Sequence, residues 1–146
     1  MNETTRLFKD FISLALAHPE GPAVARAFDR TLQFDLADGE PFYLELRNGA
    51  LTVNDGDSGL DWKYRDWRRA TCVHTTGRVL REIIAGRRLV TEAFFDRELG
   101  FGPRRSADLD IPATAIEAWF YTLCRLAHEQ AERIGHERYR SDTGIG

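Results

Sequence analysis

His74 lies in the run Thr71-Cys72-Val73-His74-Thr75. An imidazole beside a carboxylate is the usual way to move a proton near neutral pH. Asp108 and Asp110, which flank Leu109, are its candidate partners if their segment pairs beside that strand. A solvated polar strand position is the commoner fate of such a histidine, and it is the reading adopted. A second group, His128, Glu129, Glu132 and His136, falls on the last predicted helix. His128 and Glu132 are four apart and share a face, with His136 a turn further on. No His-Glu-x-x-His string accompanies them, so a charge-rich helix end is expected rather than a metal centre. Cys72 and Cys124 are distant and lack ligand spacing, so they read as reduced, buried small hydrophobes. Neither a metal nor a cofactor is expected. The chain has no Gly-x-Ser-x-Gly, P-loop or Gly-x-Gly-x-x-Gly string.

Two further groups suit binding better than catalysis. Trp62, Tyr64 and Trp67 interleave with Lys63, Arg65, Arg68 and Arg69. Such a loop fits a ligand lid, a membrane contact or a partner patch. The plainer reading, which we favour, is that its tryptophans pin a long loop to the body. The pairs Arg87-Arg88 and Arg104-Arg105 offer charge to an anionic head group, although such pairs are usually solvated.

The elements that would position these groups are legible from periodicity. Thr4 or Thr5 caps a helix over 4–18, with Leu7, Phe8, Phe11, Ile12 and Ala15 on one face. His18-Pro19-Glu20-Gly21-Pro22 ends it, and Ala23–Asp29 forms a short second helix. The period then changes to two. Leu32, Phe34 and Leu36 alternate with polar residues, and so do Phe42, Leu44 and Leu46. Asp38-Gly39 and Asn48-Gly49 are tight-turn pairs, so these strands and Leu51–Val53 form an antiparallel meander. Residues 71–75 supply a fourth strand. A helix capped by Thr75 or Thr76 follows and ends at a left-handed Gly86. Leu89–Asp96 is a short helix, and Glu98–Phe101 and Ala107–Leu109 are strand pieces. After Pro112 a long helix runs to about Ile134, with Ile116, Trp119, Phe120, Leu123, Ala127 and Ala131 as its apolar stripe.

The chain has 146 residues, 42% hydrophobic and 29% charged, with net charge −3. These values fit one domain and exclude a disordered or fibrous class. They also count against a nucleic-acid binder that works by bulk charge. No run reaches the ~18 apolar residues of a membrane span, so stable membrane insertion is not expected. The start of the chain lacks the basic and apolar pattern of a signal peptide, so a cytoplasmic setting is expected. Helices and strands come in runs, which predicts an α+β class: an antiparallel-rich mixed sheet of about five strands covered by helices. We read 1–146 as a single domain, with a helical segment at 4–29, a core at 30–135 and a frayed tail at 136–146.

Residues 30–110 resemble the sterol carrier protein-like family of lipid-binding domains. Leu32 to Gly39 looks like the family's first strand and turn, and Phe42 to Val53 like its second and third strands. Ile83-Ile84-Ala85-Gly86 resembles its "leucine-leucine-x-glycine" helix end, and Ala93-Phe94-Phe95 its "alanine-phenylalanine-phenylalanine" helix. The family usually has glycine after the phenylalanine pair, where Arg97 lies nearby. The loop at 54–68 is also longer and more aromatic than usual. The resemblance implies a hydrophobic cavity between sheet and helices that takes an apolar molecule, lipid, sterol-like or polyketide-like, without covalent chemistry. The ligand-binding candidates are Phe34, Leu44, Ile83, Phe94, Phe95, Trp119, Phe120 and Leu123. The enzymatic alternative is a small cyclase or isomerase using such a cavity, with His74 or Asp110 assisting proton transfer.

Overall fold

The computed structural model describes residues 2–27, 31–47, 50–59, 70–102 and 113–143. In chain order these form α1 (Glu3–Ala17), α2 (Gly21–Arg26), β1 (Thr31–Leu36), β2 (Phe42–Arg47) and β3 (Ala50–Asp55). Then follow β4 (Ala70–Thr75), α3 (Gly77–Ile84), α4 (Val90–Phe95), β5 (Gly100–Gly102) and α5 (Ala113–Thr143). The five strands make one sheet in the order β3-β2-β1-β4-β5. β1 and β4 are parallel, and the other neighbours are antiparallel. This is the mixed α+β sheet that the strand pattern predicts.

Local chemistry sets the boundaries, and several differ from expectation. Asn2, not Thr4 or Thr5, caps α1, because its side chain accepts from the Thr5 amide at 2.9 Å. Thr5 is fully buried instead. α2 starts at Gly21, earlier than predicted, because Pro22 fits the first turn of a helix and need not precede it. Glycine is required at 21: a Cβ there would lie 2.1 Å from the Ala15 carbonyl oxygen. Gly86 takes the predicted left-handed turn at φ 76°. Arg97 is left-handed too, at φ 60°, near the position where the family has glycine. α5 continues to Thr143 instead of ending near Ile134. The Asn48-Gly49 turn, the tryptophan loop at 62–69, Arg104-Arg105 and the piece at 107–109 lie outside the described residues.

The pleat sends alternate strand residues to opposite faces. Leu32, Phe34, Leu36, Phe42, Leu44, Leu51, Val53 and Val73 turn inward, and all are buried. Helices pack on that face through Phe8, Phe11, Ile12 and Ala15 of α1, Val79, Leu80 and Ile83 of α3, and Phe120, Leu123 and Ala127 of α5. Four rings from four elements meet at the centre. Phe34 and Phe42 face each other across the β1–β2 pair and stack, with centroids 4.6 Å apart and planes 9° apart. Phe8 sits 4.9 Å from Phe34 and 5.1 Å from Phe42. Phe120 meets Phe34 edge-on at 5.9 Å.

β3 and β4 point the same way, and β2 and β1 lie between them in the sheet. The chain leaves β3 over the outer face. The fully buried Gln33 there donates to the Phe42 and Gly56 carbonyls and accepts from the Ser58 amide.

Removing a ring from the central cluster leaves a cavity as well as losing apolar burial. Phe120→Ala is expected to lower the unfolding free energy by about 3–5 kcal/mol in urea titrations. A loss under about 1 kcal/mol would mean that the cluster does not hold α5 to the sheet.

Candidate functional site

The predicted ligand residues fall into two groups. Phe34, Leu44, Phe120 and Leu123 have no exposed surface, and Ile83 has 1%. A surface no water molecule can reach, from outside or from an internal void, is in contact with its neighbours. These five therefore line a filled interior in this conformation. Phe94 and Trp119 are half-buried and pack on the edge of that core. The Trp119 indole N–H donates to the Val24 carbonyl at 2.9 Å, which ties α5 to α2. Phe95 is 79% exposed. It meets Phe94 edge-on at 5.8 Å, and Phe94 in turn lies 5.9 Å from Phe101 of β5. The structure thus joins Phe34 to Phe120 at the centre and Phe94 to Phe95 on α4, with Phe95 outside the packed interior.

α4 covers one end of the core between α5 and β5. Its inner side is only Val90 and Ala93, both buried. Its flanks are held by surface charge. Arg88 reaches Asp96 at 2.8 Å and Glu82 at 3.6 Å, and it also pairs with Glu98. Arg88 holds the Glu98 carboxyl below the usual carboxylate range. Arg88 is thereby committed to three carboxylates, and only Arg87 of that pair remains for an anionic head group.

A cleft of about 460 Å³ opens at the sheet rim where β1 and β4 end, bordered by Asp35, His74, Thr75, Arg78, Arg97 and Glu98. Its floor is fixed by the turn after β1. Asp38 accepts from the Gly77 amide at 2.6 Å, tying that turn to the start of α3. Thr76 caps the helix by accepting from Val79 at 3.1 Å.

His74 is exposed on the outer face, away from the apolar interior. The acid opposite it in register is Asp35 of β1. Asp108 and Asp110 lie outside the described residues. The cyclase or isomerase reading required a titratable pair within the cavity, and the described geometry does not favour it. Among the described residues, two sets of side chains bring potential metal ligands together. Asp35, Cys72 and His74 each place a ligand atom within 4.8 Å of the others, and so do His18, Glu20 and Glu129. In the second set both imidazole nitrogens are engaged. Nδ1 accepts from the Glu20 amide at 3.0 Å and Nε2 meets Glu129 at 3.0 Å. Arg125, and then His18, hold Glu129 below the usual carboxylate range. That set fastens the end of α1 to α5. His128, expected at a solvated helix end, has its Nε2 3.2 Å from the Ile84 carbonyl and its ring against Phe11. Cys124 is buried as expected, and burial pushes its thiol well up. Cys72 is buried too, yet its thiol donates to Asp35 at 3.3 Å, so it is more than a small hydrophobe. Its partnership with Asp35 was missed because it spans two strands; the only sequence cue is Cys-x-His on a strand, which puts both side chains on one face.

No protein-family model matches the sequence, and no curated protein does. Solved structures do match the fold. Sterol carrier protein 2 from Yarrowia lipolytica, in its apo form, superimposes with TM-score 0.54 at 12% identity, over 84% of this chain and 88% of its own. A UbiJ-SCP2 ubiquinone synthesis protein gives 0.57 at 14% identity, over 84% and 94%. A further sterol carrier protein 2 structure gives 0.51 at 15% identity, over 84% and 97%. The chain has the sterol carrier protein 2 fold. Among the described residues no helix is long and apolar enough to cross a membrane.

The Gly77 amide, with smaller help from Arg78 and Arg81, holds the Asp38 carboxyl below its ordinary range. A carboxyl depressed on folding stabilises the protein above its unfolded pKa and loses that contribution as pH falls through its folded pKa. In urea titrations at about pH 6, wild type should therefore be more stable than Asp38→Asn, and the gap should close on acidification below about pH 4. A gap independent of pH would show that the Asp38 charge is not what joins the turn to α3.

Proposed function

We propose that this protein binds and carries an apolar small molecule, a lipid or sterol-like compound, reversibly and without covalent chemistry. The observation that carries the reading is the state of α4. It is a six-residue helix over one end of the apolar core, with one phenylalanine half-buried and the next 79% exposed. An exposed phenylalanine beside a thinly attached helix supplies apolar surface for a ligand at the place where the core opens most cheaply. Proteins of the same fold include sterol carrier proteins and a ubiquinone synthesis protein, which agrees with an apolar cargo.

The filled interior makes this conformation the closed one. Entry then requires α4 to lift, exposing Val90 and freeing Phe94 from Phe101. Burial of apolar surface yields about 25 cal/mol per Å², so a ligand hiding about 300 Å² gains about 7 kcal/mol. Fully exposing one valine costs about 1.5–3 kcal/mol, and exposing Ala93, freeing Phe94 and association itself add to that, so only a large apolar guest offsets the opening.

A fluorescent fatty-acid analogue and a polycyclic apolar compound, each titrated into the protein, test the proposal. At least one should bind saturably. Phe95→Ser should weaken that binding about tenfold or more, since a buried phenylalanine contributes about 1.5–3 kcal/mol. Its fold should be unchanged by circular dichroism, because the side chain is already outside the core. Absence of saturable binding by both probes ends the carrier reading; unchanged affinity in Phe95→Ser ends the role of α4.

A further inference from the structure

The outer face of the sheet carries a second site, built by the pleat and the β1–β4 pairing. Cys72 and His74 are two apart on β4 and so project to the same side. Asp35 stands opposite His74 on the parallel neighbour β1. A carboxylate oxygen, a thiol sulfur and an imidazole nitrogen come within 4.8 Å of one another. We propose that Asp35, Cys72 and His74 bind a zinc ion, with its fourth position turned toward the rim cleft.

Three observations support this. The first is spacing. The Cys72 sulfur lies 3.3 Å from Asp35 Oδ2. With Zn–S about 2.3 Å and Zn–O about 2.0 Å, a tetrahedral ion puts its sulfur and oxygen ligands about 3.5 Å apart. That edge is nearly in place, and the His74 nitrogen already lies within 4.8 Å of both other ligand atoms. The second is donor chemistry. A thiolate, an imidazole and a carboxylate suit zinc, whereas magnesium and calcium call for six or more oxygen ligands. The two anionic ligands also balance the charge of the ion. The third is access. Cys72 is fully buried beneath the face, while Asp35 and His74 border the 460 Å³ cleft. A fourth ligand can come from the cleft that Asp35 and His74 border. Binding exchanges the thiol proton for the ion: the S–H that now points to Asp35 leaves as a proton to solvent, and sulfur and carboxylate both turn to the metal. The site is on the opposite sheet face from the apolar core, so it stands or falls independently of lipid binding.

The test uses untagged full-length protein stripped with a chelator. Zinc is titrated against a chromophoric chelator, and cobalt(II) is added separately and followed by absorption. One equivalent of zinc should bind. Cobalt should give tetrahedral visible bands and a thiolate-to-cobalt charge-transfer band, which Cys72→Ser removes. His74→Ala alters an exposed side chain and should keep the fold by circular dichroism. It should weaken zinc binding at least as much as loss of a second-shell partner does, about 10–100-fold. Failure to bind one equivalent overturns the proposal. So does equal affinity in wild type, His74→Ala and Asp35→Asn, which would mark adventitious surface binding, and so does a cobalt complex without the charge-transfer band.

Discussion

The contact of Phe8, Phe34, Phe42 and Phe120 is what the rest of the structure depends on. Each ring comes from a different element, so the cluster fixes α1 and α5 against the β1–β2 hairpin at one point. Stacked and edge-on rings each add about 0.5–1.5 kcal/mol beyond the area they bury. They also set spacing: with the centre filled by rings, the remaining apolar residues close around it in one continuous core. A sheet covered by helices on one side cannot then keep open space at its centre. Adaptable volume must come from the edges, where α4 lies.

The sheet divides the chemistry by parity of position. Along β1, Leu32, Phe34 and Leu36 go into the core, while Gln33 and Asp35 go to the other face. Along β4, Val73 goes in while Cys72 and His74 go out. A single-residue slip would exchange the two sets, placing the Asp35 carboxylate among the phenylalanines from β1, or the His74 imidazole from β4. The register is therefore held by the cost of burying charge as much as by hydrogen bonds. The same constraint explains why apolar and polar candidate sites lie on opposite faces without interfering.

Much of the architecture was legible in the sequence because it is local. Alternation gave the meander, Gly86 ended α3 where a left-handed residue is needed, and the strings around Ile83 and Phe94 pointed to the fold that solved structures share. What was not legible is non-local. β3 and β4 follow each other in the chain but have two strands between them in the sheet, so the strand neighbouring β1 could not be identified from order alone. Asp35 meets Cys72 and His74 only because β4 enters parallel to β1, so the acid sought for His74 was placed at 108–110 instead. In the sequence His128 reads as part of a solvated helix end, and His18 only as part of the run that ends α1. They are fasteners, because α5 passes the ends of α1 and α3. Phe95 shared the apolar signal of Phe94, but at the end of a six-residue helix adjacent residues cannot both face the core.

The helices differ in how they are attached, and this singles out α4 as the element that yields. α5 is tied at several levels: Trp119 to the Val24 carbonyl, Phe120 into the ring cluster, His128 to the Ile84 carbonyl and Glu129 to His18. Displacing it would break buried contacts throughout the core. α4 buries Val90 and Ala93, rests Phe94 on the core edge against Phe101, and is tied by the mostly buried Arg88 to Asp96 and Glu98. Just beyond it, Arg97 holds a left-handed backbone that costs a non-glycine residue roughly 1–2 kcal/mol. A change of conformation at that turn would recover this strain. Few buried contacts and a strained exit turn act in the same direction, which is why the proposed entry route runs through α4.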